Sequence, residues 1–123
     1  SYTNYQTFEG NQFFMLCTFE DYMDLKKQID FGLLLDIAHI KVSSNVLGIS
    51  FEQQLKDMLS GSDYIHISEN DSLHDINLGF DGDSQIINIL KNTNNLKDKI
   101  FTLEIYEDMD TIIKSYKTLQ EVI

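Results

Sequence analysis

The stretch Leu33-Leu34-Leu35-Asp36-Ile37-Ala38-His39 decides the fold. It is an apolar run too short for a free-standing helix, and it ends in a carboxylate and an imidazole. Introduced by Gly32, a run of this kind reads as a strand over 32–38, buried on both faces as in parallel sheets. Burying Asp36 and His39 at its end is costly unless something pairs with them. The pattern returns twice. Tyr64-Ile65-His66-Ile67 sets a histidine in a short apolar run, and Ile100-Phe101-Thr102-Leu103-Glu104-Ile105 sets a glutamate near the end of another. Three strands, each delivering a metal-competent side chain at its C-terminal end, form the strongest signal in the chain.

Between these strands the spacing is helical. Thr18 offers an N-cap with Asp21 three residues on, and Phe19, Tyr22, Met23 and Ile29 mark an amphipathic helix over 18–29. A loop is expected over 39–49. Ser50 and Gln53 make a second capping box, opening a helix that carries Phe51, Leu55, Met58 and Leu59 and stops at Gly61. After the strand 63–67 comes a polar loop, 68–83, and then a helix with Ile86, Ile87 and Leu90. A polar connection, 92–99, leads to the strand 100–105. A last helix carries Ile112, Ile113, Tyr116 and Leu119. Residues 1–17 have no clean period and read as a loop or the tail of a strand.

One helix followed by three strand–helix units, with no hairpin signal, implies an α/β fold with a parallel sheet in one domain, 1–123. A dinucleotide-binding fold would need a G-x-G-x-x-G turn after its first strand, and none occurs. A complete (β/α)8 barrel needs roughly 200 residues or more. With 123 residues, the chain accounts for about half of one.

Composition narrows the partners. The formal net charge is −11 and the pI about 4.4, so nucleic acid and anionic membrane are repelled. No apolar stretch approaches the ~20 residues that span a bilayer, and no basic-then-apolar leader is visible. Cys17 stands alone, so no internal disulfide forms, and a reducing cytoplasm is the expected home.

In parallel α/β proteins, reactive residues gather in the loops after the strands. Asp36, His39, His66 and Glu104 all fall there. Taken singly, each is an ordinary polar residue at a strand end. Taken together, they read as a divalent metal held by Asp36, His66 and Glu104, with His39 facing the substrate. Carboxylate and imidazole suit Mn, Zn, Co or Fe, with Mg also open. Lys41 either attracts a substrate phosphate or carboxylate at the rim or is a solvated loop lysine. His74 has no assigned role and is expected to be exposed. The stretch Gly79-Phe80-Asp81-Gly82-Asp83 lacks calcium-loop spacing.

Four segments in order resemble the sugar phosphate isomerase/epimerase family of xylose-isomerase-like TIM barrels, which is related to the type IV endonucleases. Leu35-Asp36-Ile37-Ala38-His39 is similar to the D-x-x-H after the sixth strand. His66-Ile67-Ser68-Glu69-Asn70-Asp71 resembles an H-x-x-D segment, with Glu69 where Asp is usual. Leu73-His74-Asp75-Ile76-Asn77-Leu78-Gly79 resembles a D-x-H stretch, with Asn77 in place of histidine. Thr102-Leu103-Glu104-Ile105 resembles the L-E-[IVL] of the eighth strand.

The resemblance implies that residues 18–123 are the C-terminal half of such a barrel. Asp36, His66 and Glu104 would be three of four metal ligands, and Glu104 would double as a catalytic acid/base. His39 would hydrogen-bond a substrate hydroxyl, Asp75 would contact substrate or support the site from behind, and Glu69 would stand behind the ligands. The fourth ligand, a glutamate at the end of the fifth strand, is either upstream of Ser1 or Glu9, and the poor strand character of 1–7 favours the former. Asn77 is a feeble metal ligand, which speaks against a multi-metal cluster. The implied activity is metal-dependent isomerisation or epimerisation of a small polyhydroxylated or sugar-phosphate substrate through an enediolate. The alternatives are phosphodiester hydrolysis, which the charge and Asn77 both oppose, and a half-barrel without catalysis of its own. Half a barrel leaves open edges, so self-association or completion by an absent N-terminal half is expected.

Overall fold

A computed structural model describes residues 16–123 of the chain. Residues 1–15, and with them the irregular start and Glu9, lie outside the described residues. The described residues form five helices and a three-stranded parallel sheet in the order β1-β2-β3. In chain order they are α1 (Phe19–Lys26), β1 (Leu34–Asp36), α2 (Ile37–Leu47), α3 (Phe51–Ser60), β2 (Tyr64–Ile67), α4 (Gln85–Lys91), β3 (Ile100–Leu103) and α5 (Met109–Gln120). The α/β class and the parallel sheet expected from the alternating pattern are therefore present.

The caps explain most helix starts. Thr18 and Asp21 form a complete capping box at α1, each side chain taking the other's backbone N–H. At α3 the expected box is half made. Ser50 accepts from the Gln53 backbone, but the Gln53 amide turns away to Asp57. Asp108 accepts from the Thr111 N–H to start α5.

The main correction lies over 39–49, where a loop was expected and the chain forms α2. Asp36 is its N-cap, accepting from the His39 N–H, and Gly48 ends it in the left-handed conformation at φ 67°. Val42, Ser43, Ser44, Asn45 and Val46 are all indifferent helix formers, so propensity argued against a helix that packing on α3 and β2 imposes. The strand before it is correspondingly short, ending at Asp36 instead of running on to residue 38.

Sheet register fixes which side chains share a face. Leu34 pairs with Tyr64 and Tyr64 with Ile100; Asp36 pairs with His66 and His66 with Thr102. Alternation sends Leu35, Ile65 and Ile67 to the helix-covered side, where they join Leu55, Met58, Ile86, Ile87 and Leu90 in the core. The other face is open. Leu34, Tyr64 and Ile100 form one row across it and are 49, 40 and 61% exposed. The expectation that 32–38 is buried on both faces is thus wrong, because no helix covers this side among the described residues. On α5, Ser115 and Leu119 are buried while Ile113 and Tyr116 are exposed, so the buried stripe is rotated from the expected one. In α1, Tyr22 is buried but Met23 is exposed, and Ile29 lies beyond the helix, exposed as well.

The loop between β2 and α4 is held down at both ends. Glu69 and Leu78 exchange backbone hydrogen bonds of 2.8 and 2.9 Å. Gly79 then passes so close to α5 that a Cβ there would lie 2.3 Å from the Thr111 methyl. Next to it, the Ser115 hydroxyl accepts from the Phe80 N–H at 3.0 Å. No helix among the described residues is long and apolar enough to cross a membrane.

Candidate metal centre

Because β1, β2 and β3 are parallel and in register, their C-terminal ends share one rim. Asp36 and His66 are direct neighbours across the β1–β2 pairing. Glu104 lies two residues past Thr102 on the same face, and its N–H donates to Ile67 O at 3.1 Å, which extends the β2–β3 ladder. One ligand-capable atom from each of Asp36, His66 and Glu104 falls within 4.8 Å of the other two. The three side chains predicted from the strand ends therefore converge, each half-buried.

Every member has further partners. Asp36 Oδ1 accepts from the His39 backbone N–H at 3.1 Å, and its Oδ2 lies 3.1 Å from His39 Nδ1. His66 Nδ1 meets Glu104 Oε2 at 3.1 Å. The imidazole nitrogen and the carboxylate oxygen thus face each other directly, either sharing a proton or offering two donors to a cation placed between them. The Tyr64 ring packs edge-on against His66 at 5.7 Å between centroids. Tyr106 donates its hydroxyl to Glu104 Oε1 at 3.1 Å. Sequence reading missed both tyrosines, although each sits two residues from a candidate ligand and so shares its face.

The electrostatics are those of excess negative charge. Burial raises the Asp36 pKa above the ordinary carboxylate value, and Glu104 and Asp75 push it the same way against the opposing pull of His39. Tyr106 is raised as well, first by its hydrogen bond to Glu104 and then by the charges of Glu104, Asp75 and Asp36. Asp75 Oδ1 is buried without a hydrogen-bond partner, while its Oδ2 lies 2.7 Å from His39 Nε2. Three carboxylates thus crowd a region served by two histidines. A divalent cation, which favours oxygen and imidazole donors, fits such a set.

Other expected site residues have different surroundings. His39 has a carboxylate at each ring nitrogen, so donating to a substrate hydroxyl requires it to exchange one of them. Lys41 does not stand on a rim loop. It lies on α2, 7% exposed, with its ammonium on the Glu69 carboxylate and on Asn70 O at 2.9 Å. The same Glu69 oxygen accepts from the Asn70 N–H, so Glu69 anchors its own loop and is not hydrogen-bonded to a ligand of the triad. Asn70 reaches Ala38 O at 2.8 Å, and Asn45 reaches Ser72 O at 3.0 Å. Through these contacts and Asp75, the 68–78 loop is fastened along α2, the helix that the sequence did not announce. Asn77 accepts from the Ser68 hydroxyl and through its carbonyl from the Tyr106 N–H, which holds Tyr106 beside Glu104. His74 is exposed as expected and pairs with Asp71 at 2.8 Å.

No family model, no curated protein and no solved structure matches the chain.

Proposed function

We propose that the strand ends hold one divalent cation and that the site carries out isomerase- or epimerase-type proton transfer, the described residues being the C-terminal part of a (β/α)8-like barrel. The observation that carries this reading is the approach of Asp36, His66 and Glu104 to within 4.8 Å of one another from successive parallel positions. The crowding of Asp75 onto the same rim and the raised Asp36 pKa support it, because a cation would offset both. The open row of Leu34, Tyr64 and Ile100 is what the inward face of a barrel would present to the strands opposite.

When bound, the cation would act as a Lewis acid that polarises a substrate carbonyl and acidifies the neighbouring C–H. Asp36 and His66 hold the cation. Glu104 accepts the substrate proton and returns it, and Tyr106 steadies its carboxylate through Oε1. His39, held at its two ring nitrogens by Asp36 and Asp75, would give up one of these carboxylates to meet a substrate hydroxyl. With one imidazole and two carboxylates, Mn, Zn, Co and Fe are suited and Mg is admissible. Among the described residues the outer edges of β1 and β3 pair with no strand, and these edges and the open face support association with a second copy or completion by further strands.

Calorimetric titration of the metal-stripped chain tests the reading. One cation per chain is expected, with affinity lowered about 100-fold or more in Asp36→Ala and Glu104→Ala, at least what lost outer partners cost. Equal metal uptake by the wild type and both variants would refute the ligand set.

A further inference from the structure

A cavity of about 350 Å³ opens beside Asp36. Four consecutive residues line it: Leu33, Leu34, Leu35 and Asp36. Successive side chains of a strand point to opposite faces. Only a cavity running along the strand's edge therefore meets all four. β1 pairs with β2 on one side, and among the described residues no strand pairs with the other. The rest of the lining is mostly apolar, with Leu16, Ile40 of α2 and Met58 of α3, and Cys17, Tyr22 and Ser43 add a few polar atoms. Toward the C-terminal end of β1 the lining turns polar, with Asp36 and His39. Small-molecule sites have this character: roughly 300–1,000 Å³, mostly apolar, with a few polar groups that fix orientation.

Asp36 belongs both to this cavity and to the carboxylate–imidazole cluster, so a ligand held at the cluster has the cavity beside it. We infer that the cavity receives the apolar arm of a small ligand whose head, bearing two adjacent oxygens, sits at the cation held by Asp36, His66 and Glu104. The inference rests on the metal reading above and refines its substrate class. Hydroxyls along the whole length of a sugar would be stripped of water against Leu33, Ile40 and Met58, and Tyr22 and Ser43 could partner only a few of them, which disfavours a fully hydroxylated chain. A hydrocarbon group of a few carbons loses nothing there and gains by burial.

The probes are straight-chain hydroxamates from acetohydroxamate to octanohydroxamate, titrated calorimetrically into the full chain loaded with Zn. The chelating head is constant, so the dependence on chain length reports the cavity alone. Affinity is expected to rise about fourfold with each methylene until the cavity is full. In Leu34→Gln, at the exposed part of the wall, the ratio of octano- to acetohydroxamate affinity is expected to fall about tenfold. A flat series in the wild type, with metal taken up and acetohydroxamate bound, would overturn the cavity assignment and leave the metal reading standing. That is also the result if an extended polypeptide segment covers the β1 edge. A chain that takes up no Zn would overturn both.

Discussion

The two faces of the sheet are built from the same strands and have opposite characters. On one, Leu35, Ile65 and Ile67 are sealed under helices. On the other, Leu34, Tyr64 and Ile100 stand open, and the next residues along that face are Asp36, His66 and, past Thr102, Glu104. The covered face supplies cohesion. The open face is spared that task, and it can carry charged groups that a packed core would exclude. Beneath the rim, α2 and the 68–78 loop join the two by tying the acidic cluster to a buried helix.

Four experiments bear on this contrast. A large effect is expected where the tie is cut. Lys41→Ala leaves the half-buried Glu69 carboxylate without its counter-charge, with only the Asn70 N–H to satisfy it, and should cost about 3 kcal/mol in denaturant unfolding. Lys27→Ala, which breaks an exposed pair with Asp24, should cost at most about 1 kcal/mol. Equal costs would remove the distinction between anchor and surface. Next, Ile65→Ala on the covered face should cost about 2–5 kcal/mol, and the exposed Leu34→Ala distinctly less. A comparable loss from Leu34 would mean that the open face is covered in solution. Gly79→Ala forces a methyl against Thr111 and should cost about 1–3 kcal/mol, read as a lowered melting temperature.

The smallest effects are in pH. Asp36 has a raised folded-state pKa, so the folded chain binds the extra proton. As pH falls from neutral through that raised value toward the unfolded one, the metal-free wild type should gain stability relative to Asp36→Asn, which keeps the helix cap. Asp71 runs the other way. His74 and backbone N–H groups hold it at about 2, so its contribution is present above the unfolded carboxylate value and is lost as pH falls toward about 2. Melting curves of Asp36→Asn and Asp71→Asn from pH 7 to 2 should therefore diverge from the wild type with opposite signs.

Much of the covered face was legible in the sequence, because short apolar runs and capped amphipathic stretches state their periods locally. The convergence of Asp36, His66 and Glu104 was legible too, since residues at the same end of adjacent parallel strands meet by topology. The character of Leu34 was not. A run of three leucines looks the same whether a sheet is covered on both sides or on one. Helix α2 was hidden for a related reason. Its β-branched and serine residues gain their helical state from packing on α3 and β2, although the Asp36 cap and the Gly48 stop were there to be read. Missing α2 left Lys41 as a loop lysine, either solvated or at the rim, when the helix sets it inward against Glu69. Tyr106 could have been found by asking which residue shares a face with Glu104.

Whether one cation sits among Asp36, His66 and Glu104 is decided by anomalous diffraction from crystals grown with Zn. A peak is expected about 2.0–2.2 Å from an oxygen of Asp36, an oxygen of Glu104 and a nitrogen of His66. Ordered side chains at those positions with no anomalous peak between them, or with peaks only elsewhere on the acidic surface, would contradict that placement.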